Sequence, residues 1–105
     1  MVQLPAKIKE TIDKYLQALS RNNIPITEAI LFGSYATGNY QEWSDIDIAL
    51  VSDIFEGDRI DDKDKIRAIT LSVSSTIVVI PFTPDDFNKQ NPFVKQILKT
   101  GIKLV

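Results

Sequence analysis

The chain has 105 residues, of which 44% are hydrophobic and 25% charged, with a net charge of −2 and neither cysteine nor histidine. These proportions suit one soluble globular domain, residues 1–105, and they exclude a disulfide framework, thiolate catalysis and a broad basic surface for nucleic acid. Because no apolar run is long enough for a membrane helix and the start has no signal-peptide pattern, we expect a cytoplasmic protein without a membrane partner.

The N-terminal part predicts a helix followed by a strand. Pro5 suits a first helical turn, and the apolar residues after it recur at helical spacing, at Ile8, Ile12, Tyr15, Leu16 and Leu19. The run from Arg21 to Pro25 breaks the helix, and the segment from Ala29 to Phe32 predicts a strand. The helix is therefore expected to pack on a sheet.

Gly33 and Ser34 follow this strand directly. A residue without a side chain and a small hydroxyl let the backbone approach an anion closely. The residues from Ser34 to Thr37 predict a short helix that ends at Gly38, and free N–H groups at its start would attract phosphate. The alternative is a turn that merely requires a glycine.

A second strand is predicted to carry Asp45 and Asp47 on one face and apolar residues on the other, namely Ile46, Ile48 and Leu50. Neighbouring carboxylates repel one another unless solvent or a cation compensates their charge. Magnesium suits them, because it prefers oxygen ligands and is often held by one or two carboxylates together with substrate phosphates. The alternative is that the pair only lines the solvent face of an amphipathic strand.

The spacing of these residues resembles a known signature. Gly33-Ser34, ten further residues and Asp45-x-Asp47 resemble the pattern of the minimal nucleotidyltransferases in the DNA polymerase beta superfamily, and the segments 81–87 and 97–102 also look like this family. The resemblance implies the nucleotidyltransferase fold, an α/β (α+β) arrangement with a small mixed sheet packed with helices. It also implies that Gly33 and Ser34 hold the nucleotide triphosphate and that Asp45 and Asp47 are catalytic and bind Mg²⁺.

The loop before Asp45 contains two further residues of interest. Ser44 is predicted to belong to the nucleotide-binding site together with Gly33 and Ser34. Its position allows two interpretations, because it either orients Asp45 or simply begins the strand. Trp43 is expected to pack on its neighbours rather than to stack on a nucleobase.

An acidic cluster occupies residues 58–64. We interpret it as the solvated start of a helix rather than a second metal site, because acids in a first turn complement the helix dipole. The helix then presents Ile66, Ile69 and Val73, and ends at Ser74-Ser75. The β-branched run from Thr76 to Ile80 predicts a buried third strand.

The third strand departs from the family pattern. Active relatives place a third carboxylate there, close to the pair of aspartates, and the matching position in this chain is Val78. Asp85 and Asp86 follow Thr83-Pro84 in the pattern of a helix N-terminus, so neither is expected to replace the missing ligand. After Asn91-Pro92 we expect an amphipathic helix that ends at Gly101, and then a closing strand over residues 102–105.

Two functions follow from these observations. The first is a nucleotidyltransferase that moves a nucleoside monophosphate, AMP from ATP, onto an acceptor hydroxyl, with a HEPN-domain protein as toxin–antitoxin partner by family resemblance. The second is a catalytically weak or inactive module that binds a nucleotide or a partner, which the absent carboxylate near Val78 favours. The sequence leaves self-association open.

Overall fold

The structure, a computed structural model, describes residues 4–105. Within this range helices and strands alternate along the chain, in the order α1 (Ala6–Arg21), β1 (Glu28–Phe32), α2 (Ser34–Thr37), β2 (Ile46–Val51), α3 (Arg59–Val73), β3 (Ile77–Phe82), α4 (Pro92–Thr100) and β4 (Ile102–Lys103). The predicted succession of elements is confirmed, except for the helix expected after Thr83-Pro84.

The strands form one mixed sheet in the order β3-β2-β1-β4. Strand β1 runs antiparallel to both β2 and β4, whereas β2 and β3 are parallel. Parallel neighbours require a crossover connection, and α3 supplies it between β2 and β3. The predicted α+β architecture with a small mixed sheet is confirmed.

The two faces of the sheet are covered unequally. Helices α1 and α3 cover one face with the larger core, whose fully buried members include Tyr15, Leu19, Ile48, Leu50 and Ile66. Helix α4 covers part of the other face with a smaller cluster, which includes Ile30, Val51, Phe82, Val94 and Ile97. Alternation along each strand sends successive side chains to the two cores.

Local signals explain the ends of the last helix. The side chain of Asn91 accepts a hydrogen bond from the Phe93 N–H at 2.9 Å, and Pro92 occupies the first helical turn. Gly101 ends α4, and the two-residue strand β4 then pairs with Ile30 and Leu31. The predicted helix, its end and the closing strand are confirmed, although the strand is shorter than expected.

The acidic cluster does begin a helix, because the Asp58 carboxylate caps α3 by accepting bonds from the N–H groups of Ile60 and Asp61 at 3.0 and 3.1 Å. Most of the cluster is exposed to solvent. The exception is Asp62, which is almost completely buried. The prediction of a solvated cluster is therefore wrong for Asp62.

The Asp62 side chain connects α3 by hydrogen bonds to the loop that contains Glu56 and Gly57. Its carboxylate accepts bonds from the N–H groups of Glu56 and Gly57 at 2.9 and 3.0 Å and from the Lys65 ammonium at 3.2 Å. Burial alone would raise the pKa of Asp62, but the Glu56 N–H, Lys65 and the Gly57 N–H together hold that pKa below its ordinary value. A buried carboxylate is tolerated here because its oxygens are hydrogen-bonded and paired with a cation.

Two predictions about the third strand and the segment after it need correction. The buried strand is confirmed for Ile77, Val79, Pro81 and Phe82, but β3 lies at the edge of the sheet, and Val78 and Ile80 are only half-buried. Thr83 accepts bonds from Asp86 and Phe87, as a cap would, but this segment forms a turn and not a helix. Phe87 instead enters the smaller core beside Phe82.

Across residues 4–105, none of the helices combines the length and apolar character that crossing a membrane requires.

Candidate active site

The candidate site begins where β1 turns into α2. Gly33 has φ 75° and ψ −152°, a backbone conformation that is essentially restricted to glycine. The short helix α2 starts at Ser34 and ends at Gly38, which is in the left-handed conformation. A glycine at position 33 is therefore a requirement of the backbone itself, whatever binds nearby.

Gly33 also makes room for Asp47. A Cβ atom built at Gly33 would overlap the Oδ2 atom of the Asp47 carboxylate and would lie 3.2 Å from its carboxyl carbon. The glycine backbone thus packs directly against a catalytic candidate. The sequence predicted that Gly33 lets its backbone approach an anion, and the anion beside it in the structure is this carboxylate.

The two aspartates lie at the start of β2. Asp47 is half-buried within the strand, whereas Asp45 is exposed one residue before Ile46, where the strand begins. The expectation that the strand carries both residues is thus wrong by one position for Asp45. Asp47 and the apolar residue Ala49 share the face that α4 covers further along, so the aspartates occupy the uncovered end of that face.

The electrostatics of the pair fit a site that receives positive charge. Burial, and secondarily the charge of Asp45, raise the pKa of Asp47 above its ordinary value. The folded protein consequently holds the ionised form of Asp47 less easily than the unfolded chain does. A cation between the carboxylates would relieve both effects.

The raised pKa of Asp47 predicts that the substitution Asp47→Asn stabilises the protein near pH 7. A raised pKa means that the folded state binds more protons than the unfolded state, so the contribution of Asp47 to stability falls as pH rises through the interval between the two pKa values. We expect the variant to have a higher Tm than the wild type near pH 7 and the difference to disappear below the unfolded pKa of about 3.9. Thermal unfolding followed by circular dichroism across pH measures this; a lower Tm for the variant at pH 7 would contradict it.

The donor set fits one magnesium ion. Among residues 4–105 no group of three or more His, Cys, Asp or Glu side chains is arranged to hold a metal ion. Two carboxylates remain, and magnesium characteristically takes one or two carboxylates while water and substrate phosphates fill its other positions. Asp45 and Asp47 therefore fit an ion that arrives with a nucleotide.

Val78 is the neighbour of Asp47 in the sheet. The parallel register pairs Asp47 with Val78, and the antiparallel register pairs Asp47 with Phe32. A carboxylate at position 78 would thus stand one strand away from Asp47, about 5 Å across the sheet. Asp85 and Asp86 lie beyond the opposite end of β3, in the turn that begins at Thr83, and cannot take that place.

The loop between α2 and β2 is held by its own contacts. The rings of Tyr35 and Tyr40 stack with centroids 4.7 Å apart, and the Ser44 hydroxyl accepts a bond from the Gln41 N–H at 2.7 Å. Ser44 thus closes the turn that precedes β2. Trp43 is 79% exposed, so the prediction that it packs on neighbouring residues is wrong.

An aromatic surface beside Asp47 was not predicted. The ring of Phe93, in the first turn of α4, meets Phe32 edge to face with centroids 5.9 Å apart, and it also lies 6.4 Å from the ring of Phe82. Sequence spacing gave no sign of this contact, because it joins positions more than 60 residues apart. It places an apolar surface next to the carboxylates.

Comparison with known proteins agrees with this geometry. A family model described as a nucleotidyltransferase domain matches residues 12–104. A relative from Methanocaldococcus jannaschii, provisionally named a protein adenylyltransferase, is 47% identical over 47 residues, which are 44% of this chain. The match covers 47% of that relative, so the chain aligns with about half of its length.

Solved structures share the fold. A toxin–antitoxin crystallised with AMP-PNP superposes with a TM-score of 0.62 and 25% identity, covering 89% of this chain and 71% of the other. A provisionally assigned nucleotidyltransferase from Sulfolobus solfataricus superposes with a TM-score of 0.59 over 98% of this chain and 89% of the other, and its 20% identity supports the fold alone. With nearly the whole chain matched by the family model, the protein belongs to the nucleotidyltransferase domain family, as its motif predicted.

Proposed function

We propose that this protein transfers AMP from ATP to a hydroxyl group of a partner protein and releases pyrophosphate. In this reaction the acceptor oxygen forms a bond to the α-phosphorus while the bond from that phosphorus to the bridging oxygen breaks, and the hydroxyl proton passes to a carboxylate or to water. The observation that carries the proposal is the Asp45 and Asp47 pair, held at the Gly33 turn where α2 begins. The family to which the chain belongs supports the reaction class.

The proposed roles follow from position. Asp45 and Asp47 would hold Mg²⁺, which when bound with the triphosphate would neutralise its charge and favour departure of pyrophosphate. Gly33 and Ser34 would present backbone N–H groups at the start of α2 to phosphate oxygens. Ser44 would contribute by fixing the loop that leads to Asp45, since its hydroxyl is already engaged by Gln41. With no histidine in the chain, the proton acceptor is a carboxylate or water.

The acceptor is proposed to be a protein. The name of the archaeal relative describes protein adenylylation, and one structural neighbour is a toxin–antitoxin crystallised with AMP-PNP. By family resemblance we propose a HEPN-domain protein as the partner, in a toxin–antitoxin pair.

One observation favours a second function. Val78 stands where a third carboxylate would complete the oxygen ligands beside Asp47, and no third acidic residue joins the pair within the described part of the chain. A protein with this site would bind nucleotide but transfer its monophosphate slowly, and would act by contact with a partner. Nucleotide binding is common to both functions, so it is the first property to measure.

The test is a calorimetric titration of the protein with ATP, in magnesium and then in chelator. We expect binding in magnesium that weakens by at least about tenfold in chelator and in the Asp45→Asn/Asp47→Asn variant. The matched control is Asp13→Asn/Asp61→Asn, which removes the same charge from exposed positions on α1 and α3, the helices on the opposite face of the sheet. That control should bind ATP as the wild type does.

The titration has three possible outcomes, which distinguish the two functions and can also contradict both. Binding that requires the metal and both aspartates, followed by AMP incorporation into a partner protein, supports transfer. Binding of the same kind without incorporation supports the slow module. A folded protein that does not bind ATP contradicts the proposed nucleotide site.

A further inference from the structure

A groove of about 390 Å³ runs along the outer edge of β3, beneath α3. Three consecutive strand residues, Ile77, Val78 and Val79, line it. Because strand side chains alternate between faces, a cavity can contact three in succession only by lying alongside the edge of the strand. The groove is therefore a channel next to an open strand edge and not a pocket in either face of the sheet.

The strand edge in this groove offers free backbone groups. The Thr76 carbonyl accepts a bond from the Ile46 N–H at 2.9 Å, so Thr76 and, by alternation, Val78 direct their backbone groups toward β2. Ile77 and Val79 consequently direct their N–H and C=O groups outward, and no residue in the range 4–105 bonds to either N–H. Pro81 is the next outward-facing residue, and because it has no N–H the row of donors ends there.

The helical wall of the groove carries exposed apolar side chains and two cations, Lys63 and Arg67, against one carboxylate, Asp64. Ile60 is 74% exposed and Leu71 is 56% exposed, although both line the cavity. They are eleven positions apart in α3, about 16 Å along the helix axis, which is the length of about five residues of extended chain. Between them lie Lys63 and Arg67; Arg67 is 4.0 Å from Asp64, and Lys63 forms no ion pair with the described residues. Such a wall suits an extended segment with apolar and acidic side chains.

The groove reaches the strand position beside Asp47, although its helical wall lies on the opposite face of the sheet from the aspartates. Val78 lines the groove and is also the ladder partner of Asp47. A strand added outside β3 would lie two strand spacings from β2, about 10 Å, on the side where the third carboxylate is missing. Its side chains on the Asp47 face would point over Val78 toward the aspartates.

We propose that this groove binds an extended segment of the acceptor protein as a fifth strand, with its acidic side chains against Lys63 and Arg67. Backbone bonds to Ile77 and Val79 fix its register, Ile60 and Leu71 bury its apolar side chains, and a hydroxyl-bearing side chain reaches the aspartates over Val78. The role of that hydroxyl rests on the proposed nucleotidyl transfer, whereas binding of the segment does not.

The experiment selects binders from a displayed library of random 12-residue peptides on the wild-type protein. Enriched peptides should carry acidic and apolar residues, and their affinity should fall by about tenfold in both Ile60→Asp and Leu71→Asp, which change exposed side chains and leave the cores intact. The matched control is Leu98→Asp, an exposed apolar residue on α4, across the sheet from the groove. Hydrogen exchange of the Ile77 and Val79 amides should slow when a peptide binds.

Several results would overturn the proposal. These are failure to enrich any peptide, enriched peptides that bind both groove variants normally, and unchanged exchange at Ile77 and Val79. Self-association that Leu71→Asp abolishes would assign the groove to a second copy of this chain instead, and groove-dependent binding of RNA or DNA would assign it to nucleic acid. ATP titration of the same variants keeps the two proposals apart, because the groove variants should bind ATP normally even if no peptide binds.

Discussion

Gly33→Ala is expected to lower the free energy of unfolding by about 3 kcal/mol and to abolish nucleotide binding. Two costs combine at this position. The backbone conformation at φ 75° and ψ −152° strains any residue with a side chain, and the added methyl group would overlap the Asp47 carboxylate. Either the turn or Asp47 must move, and both belong to the candidate site. Urea unfolding followed by circular dichroism measures the first effect, and ATP titration in magnesium measures the second.

Gly38→Ala is the matched control for this prediction. Gly38 also has a positive φ, 88°, but a Cβ atom there has no neighbour within 4 Å among the described residues. Its substitution should cost about 1 kcal/mol and leave ATP binding in place. The double variant Gly33→Ala/Asp47→Ala should regain part of the stability lost by Gly33→Ala, because the overlapping carboxylate is gone. Equal losses in Gly33→Ala and Gly38→Ala would show that the contact with Asp47 has no energetic consequence.

Val78→Glu is expected to raise the magnesium-dependent hydrolysis of ATP to AMP and pyrophosphate, in which water replaces the protein acceptor, by about tenfold or more. The register places position 78 directly beside Asp47, and the Val78 side chain is half-buried, so a longer acidic side chain has room to turn toward solvent and the site. In the proposed site a third carboxylate would add a negative oxygen ligand beside Asp47. The rate should change more than ATP affinity, since Asp45 and Asp47, the proposed holders of the nucleotide-bound magnesium, are unchanged in this variant.

The control for shape is Val78→Gln, which has the size of glutamate without its charge. It should leave the rate at the wild-type level, and Val78→Glu combined with Asp45→Asn/Asp47→Asn should be inactive. If Val78→Glu folds and binds ATP but releases pyrophosphate no faster than the wild type, then position 78 is not the place of the missing ligand. Activity that appears only in Val78→Glu would identify the natural protein as the slow binding module.

Much of the fold could be predicted because its signals are local. Apolar spacing after Pro5, the break at Pro25 and the capping residues Asp58 and Asn91 each act within a few residues, and the elements appear where those signals place them. The aspartate pair could also be predicted from the sequence, because the alternation of side chains in a strand does not depend on the rest of the chain. Local chemistry was thus sufficient to single out the candidate residues before their surroundings were known.

The errors involve contacts that reach outside a single helix or strand. Asp62 has the local features of a solvated first turn, yet it is buried because the loop at Glu56 and Gly57 returns over it. Its position four residues before the buried Ile66 was the available signal, since both lie on one helix face. Whether β3 is central or at an edge depends on the order of all four strands, which the apolar run at Thr76 to Ile80 does not encode.

The candidate site shows the same division. The motif singled out Gly33, Asp45 and Asp47. It did not show that a side chain at position 33 would overlap the Asp47 carboxylate, because that contact depends on the fold. The contact between the rings of Phe32 and Phe93 likewise depends on where α4 packs on the sheet. The sequence motif singled out the candidate residues, and tertiary packing decided which groups those residues contact.

The exposure of Trp43 determines which spectroscopic probe reports on which event. It is the only tryptophan in the chain, and its indole is largely in water in the folded state. Unfolding therefore changes its surroundings little. Its fluorescence should remain nearly constant during denaturation, whereas circular dichroism should record the unfolding transition clearly. A ligand that reaches Asp45, two residues away, should alter the emission of the same indole. Fluorescence excited selectively at this tryptophan should thus report occupancy of the proposed site, without a label and almost without interference from folding.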